Sequence, residues 1–205
     1  TVLDKDCELN ILTARDEKGL AVLRHTASHV MAEAVQTLFP EAKVAIGPSI
    51  DTGFYYDFEC QSFSRDDLDA IEKEMKKIIK KGAKIERFTK SREDAIAFFK
   101  EKNEPYKVEL IEDLPEGEEI SFYSQGDWVD LCAGPHLMST KGIKAFKLLS
   151  SSGAYWRGDE NKHMLTRIYG TAYATKDELK EHLTQLEEAK KRDHNKLGRE
   201  MKLFT

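Results

Sequence analysis

The sequence predicts an α+β fold of two layers, a largely antiparallel sheet with packed helices, ending in a long C-terminal helix. Three observations carry that expectation. Helical and strand-like hydrophobic periods alternate along 205 residues, enough chain for one sizeable domain with flanking pieces. The strand-like runs are joined by short, turn-rich connections, which favours hairpins and antiparallel pairing. The final thirty residues are highly charged and keep a sparse helical stripe of apolar residues.

Taken in order, residues 1–16 hold one strand-like run over 8–12 and too few apolar groups to fold alone. They read as the tail of a preceding domain, ahead of a main domain over 17–175. A helix is expected over 19–38, where Leu20, Leu23, Val30, Val35 and Leu38 keep helical periodicity and Pro40 ends the run. Strands over 42–46 and 53–58 flank the turn formers Gly47-Pro48-Ser49 and Asp51-Thr52-Gly53. Ser64 and Asp67 have capping-box spacing. They open a helix with Leu68, Ile71, Met75, Ile78 and Ile79 as its stripe and Gly82 as its stop. A strand over 84–89 follows, then a helix from Ser91 to about Lys102. Residues 106–112 fit helix or strand. Strands are expected over 120–123, 128–132, 143–149 and 164–174. The stretch 176–205 reads as a linker helix with Leu179, Leu183, Leu186, Leu197 and Met201 on its apolar side.

Composition excludes several classes. No apolar run approaches the roughly 20 residues that span a bilayer, so no membrane partner is expected. No basic segment precedes an apolar one at the start, so no secretory signal is read. The chain begins without Met, inside a strand-like pattern, and reads as an excised piece. Three cysteines, Cys7, Cys60 and Cys132, are irregularly spaced. That argues against a disulfide framework and for a reducing cytoplasm. The net charge of −5 does not favour nucleic acid, which asks for local Lys and Arg against phosphates.

Two short pairs carry chemistry. His25 and His29 are four apart on the first helix, so both imidazoles project from one face. Cys132 and His136 repeat that spacing in Asp130-Leu131-Cys132-Ala133-Gly134-Pro135-His136, where the Gly-Pro step makes a tight loop. A single H-x-x-x-H on a helix is commonplace, and a lone Cys is often a small buried hydrophobe. Together the pairs can converge on a metal or on a substrate needing several positioned polar groups. On spacing alone zinc is the leading chemical reading, since imidazoles and a thiolate make a tetrahedral set.

The order of motifs then resembles a known family. Arg24-His25-Thr26-Ala27-Ser28-His29, Ala45-Ile46-Gly47-Pro48, Gly53-Phe54-Tyr55-Tyr56-Asp57, Tyr106-Lys107-Val108 and the Cys132 loop are similar to the second N-terminal domain of threonyl-tRNA synthetases. So are Gly153-Ala154-Tyr155-Trp156-Arg157-Gly158-Asp159, Arg167-Ile168-Tyr169-Gly170-Thr171-Ala172 and the closing Lys191-Arg192-Asp193-His194-Asn195-Lys196-Leu197-Gly198. The fold is shared with alanyl-tRNA synthetase editing domains. Pro135 before His136 and the Trp156 block resemble the threonyl branch.

The resemblance implies an aminoacyl-tRNA hydrolase domain that edits serine wrongly esterified to threonine tRNA, preceded at residues 1–16 by the tail of a β-grasp domain. The family's aminoacylation core, with its ATP site, is absent from this stretch. It implies His25, Lys107, Asp130, Cys132 and His136 as catalytic residues, with His29, Gly47, Tyr56, Trp156 and Arg157 contacting substrate. Its partners would be the acceptor end of threonine tRNA and the rest of a synthetase chain. No metal is expected to be required; zinc remains possible at His25, His29, Cys132 and His136. Each residue also has a plainer reading. Lys107 fits a surface lysine, Asp130 a loop carboxylate, Tyr56 sheet packing and Trp156 core. Lys73, Lys76, Lys77 and Lys80 fit a solvated helix face as well as RNA contacts. Two competing functions stay open: an alanyl-type, zinc-dependent deacylase and a non-catalytic tRNA-docking module.

Overall fold

The computed structural model describes residues 11–192. In chain order these form α1 (Glu17–Leu38), β1 (Lys43–Val44), β2 (Ser49–Ile50), β3 (Gly53–Glu59), α2 (Arg65–Lys81), β4 (Ile85–Lys90), α3 (Arg92–Glu101) and α4 (Pro105–Glu112). The path continues with β5 (Ile120–Gln125), β6 (Trp128–Leu131), β7 (Ala145–Tyr155), β8 (Met164–Tyr173) and α5 (Lys176–Lys191). The class is α+β and the named strand pairs are all antiparallel. The strands form two sheets, not one. The first runs β1-β3-β8-β7 with β2 also on β3; the second runs β4-β5-β6.

The first sheet carries the main core. Phe54, Tyr56 and Phe58 alternate along β3 onto one face, beside Leu148, Ile168 and Ala172. Against them lie Leu23, Ala27, Val30, Met31 and Val35 of α1 with Leu68, Ile71, Met75 and Ile78 of α2. The stripe predicted for α2 is thus its buried face. The capping box at Ser64 and Asp67 is formed, and Gly82 ends the helix. The second sheet has a smaller core in which Phe99, Val108 and Ile111 of α3 and α4 cover Ile120 and Phe122.

Several expectations change. Residues 106–112 are helical, with Pro105 in the first turn, where its missing N–H leaves no donor unpaired. The strand expected over 42–46 shortens to Lys43–Val44, although Ala45 and Ile46 still exchange backbone bonds with Asp57. The strand expected to stop at 149 continues to Tyr155 because β8 supplies a partner for each step from Ser150 to Tyr155. Ser150–Gly153 has no strand-like alternation, so only that pairing reveals it. Ile11 and Leu12 are not in a strand; residues 8–10, Cys7, Leu197, Met201 and the closing motif past 192 lie outside the described residues. Leu179, Leu183 and Leu186 of α5 are half-buried rather than core. No helix among the described residues is long and apolar enough to cross a membrane.

Candidate functional site

The two sheets meet beside α1, and their junction gathers side chains that are far apart in the chain. α1 presents His25 and His29 on the face turned toward the second sheet. β6 delivers Asp130 and, one step past its end, Cys132. The backbone of Cys132 is held against β5 by its N–H to the Ser121 carbonyl and by the Ser121 hydroxyl donating to the Cys132 carbonyl. The loop then turns through Gly134 and a cis peptide to Pro135, returning His136 to the cluster.

The result is compact. Cys132 Sγ lies 3.4 Å from His25 Nε2 and 3.2 Å from His136 Nε2, and accepts from the Gly134 N–H at 3.2 Å. The His136 ring sits 4.2 Å from both His25 and His29, centroid to centroid. One donor atom from each of His25, His29, Cys132 and His136 lies within 4.8 Å of all the others.

Behind this cluster is a buried charged layer. Lys107 of α4 and Asp130 pair at 2.6 Å with both side chains 2% exposed. The Tyr56 hydroxyl donates to Asp130 Oδ2 at 2.6 Å and accepts from Lys107 Nζ at 2.9 Å. Asp130 Oδ1 also accepts the Leu131 N–H, and His29 Nε2 stands 3.6 Å from Oδ2. Lys107 is therefore no surface lysine and Asp130 no loop carboxylate. Two of the three ammonium hydrogens of Lys107 are committed, which leaves one for a further acceptor.

Burial governs the protonation states. It lowers the pKa of His25 despite the opposing Pro135 carbonyl and Asp130 carboxylate. Burial takes His29 well below the ordinary imidazole range, assisted by His25 and Lys107. It also takes His136 far down, assisted by His29 and His25. The Cys132 thiol is pushed up to about 11, chiefly by burial. Near neutral pH the cluster is three neutral imidazoles and a protonated thiol. Without a metal, Cys132 is a poor nucleophile, because the thiolate is the reactive form.

The cluster opens on two clefts. One, about 350 Å³, is lined by His25, Ser49, Gly134 and Pro135 with Lys18 and Val22. The other, about 230 Å³, reaches Cys132 and Ala133 past Ser121 and Leu131. A larger cavity of about 590 Å³ lies at the far end of α1, among Leu38, Phe39, Cys60 and Phe63.

The sequence has clear relatives. Residues 120–169, which span β5 through most of β8 and include the Cys132 loop, match the threonyl and alanyl tRNA synthetase second additional domain. The chain is 63% identical over 203 residues, 98% of its length, to a threonine–tRNA ligase of Acetivibrio thermocellus. It is 64% identical over 204 residues, 99% of its length, to one of Clostridium novyi. Over nearly its whole length the chain is thus similar to one region of threonine–tRNA ligases. It spans about a third of the length of these relatives, 32% of each.

Two expected contacts sit away from the cluster. Trp156 is 2% exposed and packs with Ala45, Tyr106 and Leu165, its indole N–H donating to Glu109. It is core, because α4 covers it with Tyr106. Arg157 pairs with Asp113 at 2.6 Å on the same outer flank. Gly47 is near the cluster but works through packing: a Cβ there would stand 1.9 Å from the Tyr56 ring. Lys73, Lys76 and Lys80 are exposed on α2, and Lys77 pairs with Glu74.

Other residues complete the site without a motif to announce them. Trp128 packs edge-on against His29 at 5.5 Å and donates to Gln36. The buried Gln125 amide donates to the His29 carbonyl. Tyr123 stacks edge-on against His136 at 4.5 Å. Tyr123 and Gln125 alternate along β5, a weak hint that becomes readable only once the β5–β6 register is known.

The donor set also fits zinc. Bond lengths of about 2.3 Å to sulfur and 2.0–2.1 Å to nitrogen put neighbouring donors of a tetrahedral site about 3.3–3.6 Å apart. The two Sγ–Nε2 separations of 3.4 and 3.2 Å are near that spacing, and all four donors lie within 4.8 Å of one another. His25, His29, Cys132 and His136 would be the ligands.

Proposed function

We propose that this site hydrolyses the ester of serine attached to threonine tRNA, within a longer threonine–tRNA ligase that performs the aminoacylation. The observation that carries the reading is the convergence of His25, His29, Cys132 and His136 in one cluster backed by the buried Lys107, Asp130 and Tyr56, with His25 and Cys132 lining the two adjoining clefts.

A threonine site that recognises the hydroxyl cannot strongly reject serine, since one methyl is worth only about 1–3 kcal/mol. A second site that admits serine and excludes the extra methyl restores accuracy. The chemistry asked of it is modest, because the ester is already activated. A neutral imidazole takes a proton from water as the water oxygen bonds to the ester carbon. The remaining ammonium hydrogen of Lys107 suits the oxygen that gains charge, and fixed donors of this kind stabilise such charge best in a dry site. The bond from carbon to ribose oxygen then breaks, and that oxygen takes the proton carried by the imidazole. Serine and uncharged tRNA leave. Cys132 serves as a protonated wall and a hydrogen-bond partner of two imidazoles, not as a covalent nucleophile.

The four-donor cluster equally supports a zinc-dependent deacylase. A bound zinc would supply Lewis acidity and a more acidic water at the same place. Hydrolysis of seryl-tRNA and threonyl-tRNA by the chain, before and after stringent chelation, separates the readings. The metal-independent reading expects seryl ester cleaved much faster than threonyl ester, with no loss on chelation. His136→Ala should lower the rate by about 10²–10⁴, the usual share of a positioned general base. Equal rates on the two esters would remove the sieve. tRNA binding with no hydrolysis would leave a docking module.

A further inference from the structure

Thr26 lies between the two histidines of α1 and is fully buried. Its Oγ1 has three polar neighbours: the Val22 carbonyl at 2.9 Å, the Leu137 N–H at 3.0 Å and His136 Nδ1 at 3.3 Å. A hydroxyl has one hydrogen and two acceptor sites. The Val22 carbonyl only accepts, so it takes the hydrogen. This is the short contact of the three, and the i−4 bond is the one a helical threonine commonly makes. The Leu137 N–H only donates, so it occupies one acceptor site. What remains for His136 Nδ1 is a lone pair, and Nδ1 must therefore carry the ring hydrogen.

In a neutral imidazole the other nitrogen is then a bare acceptor. That nitrogen, Nε2, faces Cys132 Sγ at 3.2 Å. We propose that Thr26 is a positioning residue whose hydroxyl locks His136 as the Nδ1–H tautomer, so that the Nε2 lone pair, which holds the Cys132 thiol hydrogen at rest, is the proton acceptor for hydrolysis. The inference rests on the hydrolytic reading above for its purpose, though not for the tautomer itself. It also orders the neighbours. The hydrogen between Nε2 and Sγ has to come from the thiol, and the Gly134 N–H meets a sulfur lone pair at 3.2 Å. The same lone pair is the one zinc would take, with Thr26 as the outer partner that holds the ring.

The test reads the tautomer directly. In the chain labelled with ¹⁵N at histidine rings, His136 should show a protonated Nδ1 and an unprotonated Nε2 in the chelated wild type. The reverse pattern would overturn the assignment, because the hydroxyl would then be donating to the ring. Thr26→Ser keeps the hydroxyl and should keep both tautomer and seryl-ester hydrolysis. Thr26→Val should give a tautomer mixture at His136 and a rate about 10- to 100-fold lower, the usual scale for an outer partner of a site histidine. An unchanged tautomer in Thr26→Val, or an unchanged rate beside a changed tautomer, would sink the positioning role. The wild-type spectrum decides the tautomer even if Thr26→Val fails to fold. A wild type with the expected tautomer but no hydrolysis would refute the function and leave the lock standing.

Discussion

Lys107 and Asp130 show what a single residue means once its surroundings are known. In the sequence one is a lysine between Tyr106 and Val108 and the other an acid before Leu131. In the fold they form a buried ion pair, with Tyr56 bonded to both. Removing one partner leaves the other charged and dry. Lys107→Met should therefore cost about 3–5 kcal/mol, read as a fall in the urea midpoint. Adding Asp130→Asn should return part of that loss. A loss below about 1 kcal/mol for the single variant would show that water reaches Asp130. The histidines and Cys132 were legible as candidates because both pairs keep a spacing with a structural meaning. Trp156 was not legible either way: an indole at a strand end suits stacking and core equally, and only the cover from Tyr106 on α4 decides.

At the level of elements, the loop after β6 and the strand β3 depend on two glycines. Gly134 has a φ of +75°, and a Cβ there would stand 2.1 Å from the Tyr123 hydroxyl. Gly134→Ala thus meets both backbone strain and a clash. The strain alone is worth on the order of 1–3 kcal/mol. Since the loop carries Cys132 and His136, zinc affinity and ester hydrolysis should fall along with the melting temperature. Gly47 gives up its side-chain space to the Tyr56 ring. Gly47→Ala should push that ring aside and cost about 1–3 kcal/mol by overpacking, and it should break the bond from Tyr56 to Asp130. Loss of the shielded Tyr56 hydroxyl signal in a proton spectrum would register this; an intact signal would contradict it. Elements with a strong period, α1 and α2 above all, were readable from the residues. Helix α4 and the second half of β7 were not. The first is too short for its period to discriminate, and the second is an edge strand held by β8.

The whole molecule places three neutral imidazoles in one largely enclosed cluster, with His29 buried and His25 and His136 half-buried, and that ties stability to pH. Burial holds His25, His29 and His136 each below the ordinary imidazole pKa of 6.5 when folded. Between those values the unfolded chain binds more protons than the folded one. The histidine contribution is thus fully present above about pH 7 and is lost as pH falls. Linkage puts the loss at roughly 1.4 kcal/mol per histidine between pH 7.5 and 5.5, for a site that stays neutral when folded. Urea midpoints in chelator should drop over that range, and His136→Asn should flatten the slope. A flat wild-type profile would show that the imidazoles accept protons in place. Glu33 and Glu104, raised chiefly by burial, act in the opposite sense at lower pH and offset part of the loss there.

By itself the sequence determined the α+β class, the periodic helices, the two His and Cys pairs and the likeness to threonyl-tRNA synthetases. These are properties of spacing and residue type along one chain, and local periodicity records them. Tertiary structure alone decided that Lys107 meets Asp130, that Tyr56 reaches both and that Trp156 and Arg157 stand apart from the cluster. Such facts depend on which of two sheets a strand joins and which helix covers it. Contacts between residues 23 to 74 positions apart are set by the packing of faces, and no period along the chain encodes them.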